Sequence, residues 1–159
     1  MTKYPLEALL SLRKHRVDDA VLAHAQVLSR LKQAVKDHEQ ALDDLNKFKS
    51  WKEEEIERRY QFILNKTLLC KDLENFKASL AALDVEEMKY QERLEKAQAQ
   101  LESVKKEEII AKDLIKKTNQ AVLKLEEHRK IFLVQDKINA ERLAEAEFED
   151  FHPRKKGFI

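Results

Sequence analysis

The sequence predicts an all-α fold: a long antiparallel two-helix coiled-coil hairpin with helix 2 longer than helix 1. Three observations carry this. The 159 residues include one glycine and two prolines while 38% are charged, a composition too poor in turn-formers for sheets and tight loops. From Leu73 to Asp150 there is neither glycine nor proline, and apolar residues recur every seven positions, the signature of a left-handed coiled coil. The helix-ending and helix-starting residues are concentrated near 65–69, a connection so short that the flanking helices must be antiparallel neighbours. A single elongated domain over 1–159 follows: helix 1 about 6–64, turn about 65–69, helix 2 about 70–150 and a basic tail at 151–159.

Helix 1 opens after a short lead-in. Pro5 suits a first helical turn, where its missing N–H costs nothing, and Thr2 is the nearest capping side chain. Its seam is expected to run through Leu10, Val17, Val21, Leu28, Leu31, Val35, Leu42, Leu45, Ile56 and Ile63. Ala20, Val27, Ala34, Ala41, Phe48 and Phe62 flank that seam and widen it. Lys14, His24, His38, Lys49, Lys52 and Arg59 interrupt it. Polar seam residues lower stability but fix register and partner, and the long Lys and Arg stems pack apolar while their heads reach water. His24 and His38 are candidate pH-responsive groups, though a thin coiled coil leaves them partly solvated.

The break falls in 62–72. Asn65 can close one helix, Thr67 can cap the next, and Asp72 offers a later start. Were this stretch to stay helical, the chain would be a single rod that dimerises in parallel. In a hairpin, facing seam residues have numbers of roughly constant sum. A sum near 139 sets Lys52 by Glu87 and Lys49 by Tyr90, matching the basic gap of helix 1 to the acidic gap of helix 2. A sum near 132 sets His24 by Glu108 but leaves Glu87 against Leu45. The first is the expected register.

Helix 2 has one seam column at Leu73, Leu80, Glu87, Leu94, Leu101, Glu108, Ile115, Val122, Arg129, Asp136, Leu143 and Asp150. The other takes Phe76, Leu83, Tyr90, Ala97, Val104, Ala111, Thr118, Leu125, Phe132, Asn139 and Ala146. At about 1.5 Å per residue it is on the order of 115 Å long, and from about residue 133 it should outrun helix 1, where the seam also degrades to Asp136, Asn139 and Asp150. The helix should end at His152, before Pro153. The tail beyond carries Arg154, Lys155, Lys156 and Phe158, which with Phe151 make either a docking segment or a frayed end.

Several function classes are disfavoured. Lys and Arg number 31 against 30 Asp and Glu, so no bulk field draws the chain to nucleic acid or lipid. The one basic cluster, Arg13-Lys14-His15-Arg16, spans about a turn and is followed by Asp18 and Asp19; it fits a protein partner better than a DNA groove. The single cysteine, Cys70, rules out an internal disulfide framework and fits a reducing compartment. No apolar run of about 20 residues is present, so a soluble, cytoplasmic protein is expected. With its one glycine at position 157 the chain has no phosphate-binding glycine loop, and histidines at 15, 24, 38, 128 and 152 form no metal-site spacing. Paired carboxylates such as Glu53-Glu54-Glu55 and Glu107-Glu108 read as solvated faces. Two helices side by side enclose no pocket that would shift a catalytic pKa, so the reading is a non-enzyme without cofactor.

The opening Tyr4-Pro-Leu-Glu-Ala-Leu-Leu-Ser-Leu-Arg-Lys-His-Arg-Val-Asp-Asp-Ala20, followed by a long coiled-coil hairpin, resembles the YscO/FliJ group of type III secretion and flagellar export stalk proteins, with the injectisome branch the nearer match. The resemblance implies a cytoplasmic stalk at the inner-membrane secretion apparatus, reaching the membrane only through its partners and monomeric in isolation. Its implied partners are the hexameric secretion ATPase, the export gate protein and secretion chaperones. Carried onto this chain, Arg13, Lys14, Arg16, Phe148 and Phe151 would face the ATPase, while Phe62, Leu64, Leu68 and Leu69 at the bend would face the gate or chaperones. The other readings are a parallel homodimeric scaffold or tether, and a cargo-chaperone escort that makes no ATPase contact.

Overall fold

A computed structural model describes residues 3–151 as two helices, α1 (Glu7–Ile63, 57 residues) and α2 (Cys70–Phe151, 82 residues), folded as an antiparallel hairpin. Helix α1 starts and stops, and α2 starts, within about a residue of the expected positions; the expected end of α2 at His152 lies outside the described residues. Thr2 and the tail after Phe151 lie outside the described residues.

The reversal has a local cause. The amide of Leu64 donates to the Tyr60 carbonyl at 3.0 Å, and that of Lys66 to the Ile63 carbonyl at 3.3 Å. Between them Asn65 takes φ 66°, a left-handed conformation that a β-carbon makes costly and that the short polar side chain of asparagine tolerates. Helix α1 stops there. The Leu73 amide then donates to the Leu69 carbonyl at 3.2 Å, so α2 is nucleated from Leu69. Thr67 sits two residues too early to cap it, and Asp72 lies inside its acidic first turn.

The α2 seam follows its sequence pattern through the middle of the helix, although Leu73 at its start is exposed by 42%. From Phe76 to Asp136 every residue of the two predicted columns is buried or half-buried, while Asn139, Leu143, Ala146 and Asp150 are exposed. The α1 seam differs from expectation. Val21, Leu28, Val35 and Leu42 are exposed by 50, 43, 37 and 42%. The column beside them, Ala20, Val27, Ala34 and Ala41, points inward, joined by Leu10, Val17, His24, Leu31, His38, Leu45 and Lys52. Together these positions step alternately by three and four residues, which keeps a seam facing its partner. The larger valine and leucine column lies one residue further round the helix, and side-chain size alone is a misleading guide to which column faces inward.

The chain divides into two compact units, residues 1–23 with 111–159 and residues 24–110. In the first, Tyr4, Leu10, Ala20 and Leu125 are buried. Tyr4 precedes α1 yet is 5% exposed: its hydroxyl lies 2.6 Å from Nδ1 of His128, and its ring packs on His128 and Phe132 with centroids 5.7 and 5.3 Å away. Glu7 and Arg129 pair at 3.1 Å beside it.

The second unit buries Val27, Ala34, Leu45, Phe48, Leu83 and Val104. Phe48 stacks on Tyr90 at 4.8 Å, while Lys49 is exposed instead of meeting Tyr90. Both charged pairs that had marked alternative registers are present together: Lys52 with Glu87 at 2.6 Å and His24 with Glu108 at 3.3 Å. Ring pairs such as Phe48 with Tyr90 and Tyr60 with Phe76 fix a register sum near 136 to 138. Long polar side chains then reach up to about one 5.4 Å turn either way along the partner, so the dichotomy between 132 and 139 dissolves.

Candidate functional site

Three surfaces carry the residues picked out from the sequence. The basic cluster of α1 lies in the first unit, and two of its members are already engaged within the helix pair. The Arg13 guanidinium donates to the Ala121 carbonyl at 3.0 Å, and Lys14 pairs with Glu126 at 3.6 Å. Arg16 is exposed and lines, with Arg13, Lys117, Thr118 and Ala121, a recess of about 240 Å³. Lys117 is half of a helical pair with Asp113 at 3.0 Å. The cluster therefore offers Arg16 and Lys14 outward, the Lys14 pair with Glu126 being a solvated one, while Arg13 is held against α2.

The second surface is the far part of α2. Every residue from 137 to 151 is exposed, including Leu143 at 66%, Phe148 at 64% and Phe151 at 87%. Propensity and the helical backbone carry this stretch as helix, since it buries no seam of its own. Phe148 lies some 22 residues beyond Glu126, about 33 Å along the helix, so the basic cluster and the two phenylalanines are separate surfaces and not one composite site.

The third is the bend in the second unit. Phe62, Leu64, Leu68 and Leu69 are exposed by 70, 62, 37 and 73%, an unusual density of large apolar side chains on a short turn. The Lys66 ammonium sits 3.5 Å from the centre of the Phe62 ring, a cation–π contact. Underneath, Tyr60 meets Phe76 edge-on at 5.2 Å, and Arg59 donates to the Ser79 carbonyl at 3.2 Å, which ties the last turn of α1 to the first turns of α2. The four apolar side chains are thus presented by a fixed turn.

Sequence reasoning missed the Tyr4, His128 and Phe132 cluster. The available signal was the spacing of His128 and Phe132, which are i and i+4 on one face of α2, with Tyr4 at the matching end of the hairpin. Among the described residues no group of three or more His, Cys, Asp or Glu is placed to hold a metal ion. Among the same residues no helix is long and apolar enough to cross a membrane. Two lysines are perturbed: hydrogen bonds to Asp84 and then Glu87 push the Lys52 ammonium above its usual pKa of 10.5, and a hydrogen bond to Asp43 does the same for Lys47; for Lys52 this suits a register clasp and not proton transfer near neutral pH.

The family model for type III secretion protein YscO matches residues 6–154. The chain belongs to the YscO family. Its fold is that of the crystal structure of type III secretion protein YscO from Vibrio parahaemolyticus, with a TM-score of 0.87 over 92% of both chains at 22% identity. A putative YscO homolog, CT670 from Chlamydia trachomatis, superposes with a TM-score of 0.77, covering 94% of this chain and 92% of that one at 20% identity. No curated protein sequence matches. The YscO fold of two unequal helices is thus retained at low identity, which is what a heptad pattern permits: many apolar residues satisfy the same seam.

Proposed function

We propose that this YscO-family protein is a stalk component of a type III secretion system, binding the hexameric secretion ATPase and linking it to the export gate, with secretion chaperones as further partners. It acts by contact and has no catalysis or cofactor of its own. The observation that carries the reading is the inequality of the helices: α2 continues through residues 137–151 as exposed helix bearing Leu143, Phe148 and Phe151. In this reading that segment, with Arg16 and the neighbouring Arg13 and Lys14, meets the ATPase, and the apolar bend of Phe62, Leu64, Leu68 and Leu69 meets the gate or a chaperone. The protein works at the cytoplasmic face of the secretion apparatus and is a monomer when alone.

The test mixes the purified protein with its cognate ATPase and follows both complex formation and ATP hydrolysis. A complex with altered hydrolysis supports the proposal. The absence of both a complex and any change in hydrolysis overturns it. Binding of a chaperone with no ATPase contact would leave the escort reading instead. The solution mass is expected to be that of one 18.8 kDa chain; the turn at Asn65 favours this over a parallel dimeric rod.

A further inference from the structure

The recess beside Arg16 carries positive charge that the helix pair itself leaves uncancelled. Arg13, Arg16 and Lys117 border it, over a floor of Thr118 and Ala121. Within four residues of these side chains, over 9–20 and 113–125, there are six Lys and Arg against three Asp and Glu. Adding Lys112 and Glu126 leaves that excess of three unchanged.

The carboxylates within reach are engaged elsewhere or point away. Asp113 pairs with Lys117 at 3.0 Å, Glu126 with Lys14 at 3.6 Å, and Asp19 lies 3.9 Å from His15 Nε2. Asp18 stands two residues from Arg16, about 200° round the helix. The Arg13 guanidinium donates to the Ala121 carbonyl, which uses an N–H without cancelling the charge. Arg16 is exposed, and among the described residues it makes no ion pair and no hydrogen bond.

That leaves one free guanidinium at the mouth of a small cationic recess. A guanidinium presents N–H donors in a planar fork that matches a carboxylate in two parallel bonds. The sides of two unbroken helices offer no spare backbone N–H groups, which are what a phosphate site adds to its side chains. The chain's own terminal segment is a poor cover, since Arg154, Lys155 and Lys156 carry the same sign as the recess. We infer that the recess seats an Asp or Glu side chain of the protein partner that meets this part of α1, held chiefly by Arg16 with Arg13 and Lys117 beside it. This rests on the reading that the partner is the secretion ATPase, and it names the chemistry of that contact: an acidic segment of the ATPase.

The test measures the affinity of the full-length protein for its cognate ATPase by biolayer interferometry. Arg16→Glu should weaken the complex by about tenfold or more and Arg16→Gln by less. Lys36→Glu, the same change of charge placed in the second unit, should leave the affinity within about twofold. A zero-length carbodiimide cross-link should join Lys117 to an Asp or Glu of the ATPase, mapped by mass spectrometry, and should be lost in Arg16→Glu. These changes are at exposed positions, and an unchanged helical circular dichroism signal confirms that the hairpin persists. A complex that Arg16→Glu leaves unweakened, one that Lys36→Glu weakens equally, or one without the Lys117 cross-link overturns the inference while the stalk reading stands. No complex with the wild-type chain overturns both. Binding to phosphatidylglycerol vesicles that Arg16→Glu abolishes would assign the recess to a lipid headgroup, and a concentration-dependent dimer that Arg16→Glu dissolves would assign it to a second copy; either result overturns the inference.

Discussion

The Lys52 clasp offers the sharpest quantitative test of how this hairpin holds its register. Lys52 sits at a seam position with its side chain 14% exposed, and its ammonium donates to Glu87 and to Asp84, each at 2.6 Å. The two carboxylates are not equivalent: Glu87 is 21% exposed and Asp84 is 70% exposed. A charge-assisted hydrogen bond in a partly dry site is worth about 1.5 to 3 kcal/mol, whereas an exposed ion pair contributes about 0 to 1 kcal/mol. Lys52→Met keeps most of the apolar stem, so its cost isolates the charge and should be about 1 to 3 kcal/mol in urea unfolding followed by circular dichroism. A double-mutant cycle should give a coupling of about 1 to 2 kcal/mol for Lys52 with Glu87 and below about 0.5 kcal/mol for Lys52 with Asp84. Because the pKa of Lys52 is raised in the folded state, the clasp contributes fully below the unfolded value of about 10.5 and fades as the pH climbs through the higher folded value. As the pH is raised from neutral, wild type should therefore lose its margin over Lys52→Met in that alkaline range and not before it. Equal couplings for the two carboxylates, or a margin that vanishes near pH 8, would refute the reasoning.

The other predictions use the same unfolding assay. Leu10→Ala removes a side chain that is 1% exposed and should cost about 2 to 4 kcal/mol. Ala34→Leu forces bulk into a seam position that is 4% exposed and should cost about 1 to 3 kcal/mol, while Val35→Ala next to it should stay within about 0.5 kcal/mol. The reverse order would mean that the inward column has been misassigned. Asn65→Ala should cost about 1 to 2 kcal/mol because a β-carbon without a compensating polar group then occupies the left-handed region, and Asn65→Gly should be neutral to within about 0.5 kcal/mol. A chain ending at Asp136 should unfold within about 0.5 kcal/mol of the full chain, since residues 137–151 are exposed, yet lose binding to the ATPase in a pull-down.

The hairpin and the α2 seam were legible because nothing competes with a heptad repeat in a chain almost free of glycine and proline. Asn65 was legible for the same kind of reason: it is a residue that tolerates the left-handed region, placed between two long helical patterns. The α1 seam was harder. Three adjacent columns there are largely apolar and more than one choice of two satisfies the three-four alternation, so which of them points inward is decided by the partner helix, not by the size of Val21 or Leu28. The register was legible only to within a turn, because flexible Lys, Glu and Arg side chains satisfy neighbouring registers equally while aromatic stacks such as Phe48 on Tyr90 do not. Tyr4 escaped because its partners, His128 and Phe132, are more than 120 residues away and no local pattern announces them. The candidate surfaces were legible as residue types only. That Arg13 is engaged by the Ala121 carbonyl while Lys14 and Arg16 stay exposed needed the second helix in place.

The position of Cys70 has a practical consequence. It is the single cysteine of the chain, it is exposed, and it is the first residue of α2, directly after the turn. A thiol-reactive dye therefore goes onto the native sequence at one known place without any engineering, and its emission inside an assembled secretion machine reports which neighbour the turn has met. The geometry of the fold has supplied its own orientation gauge.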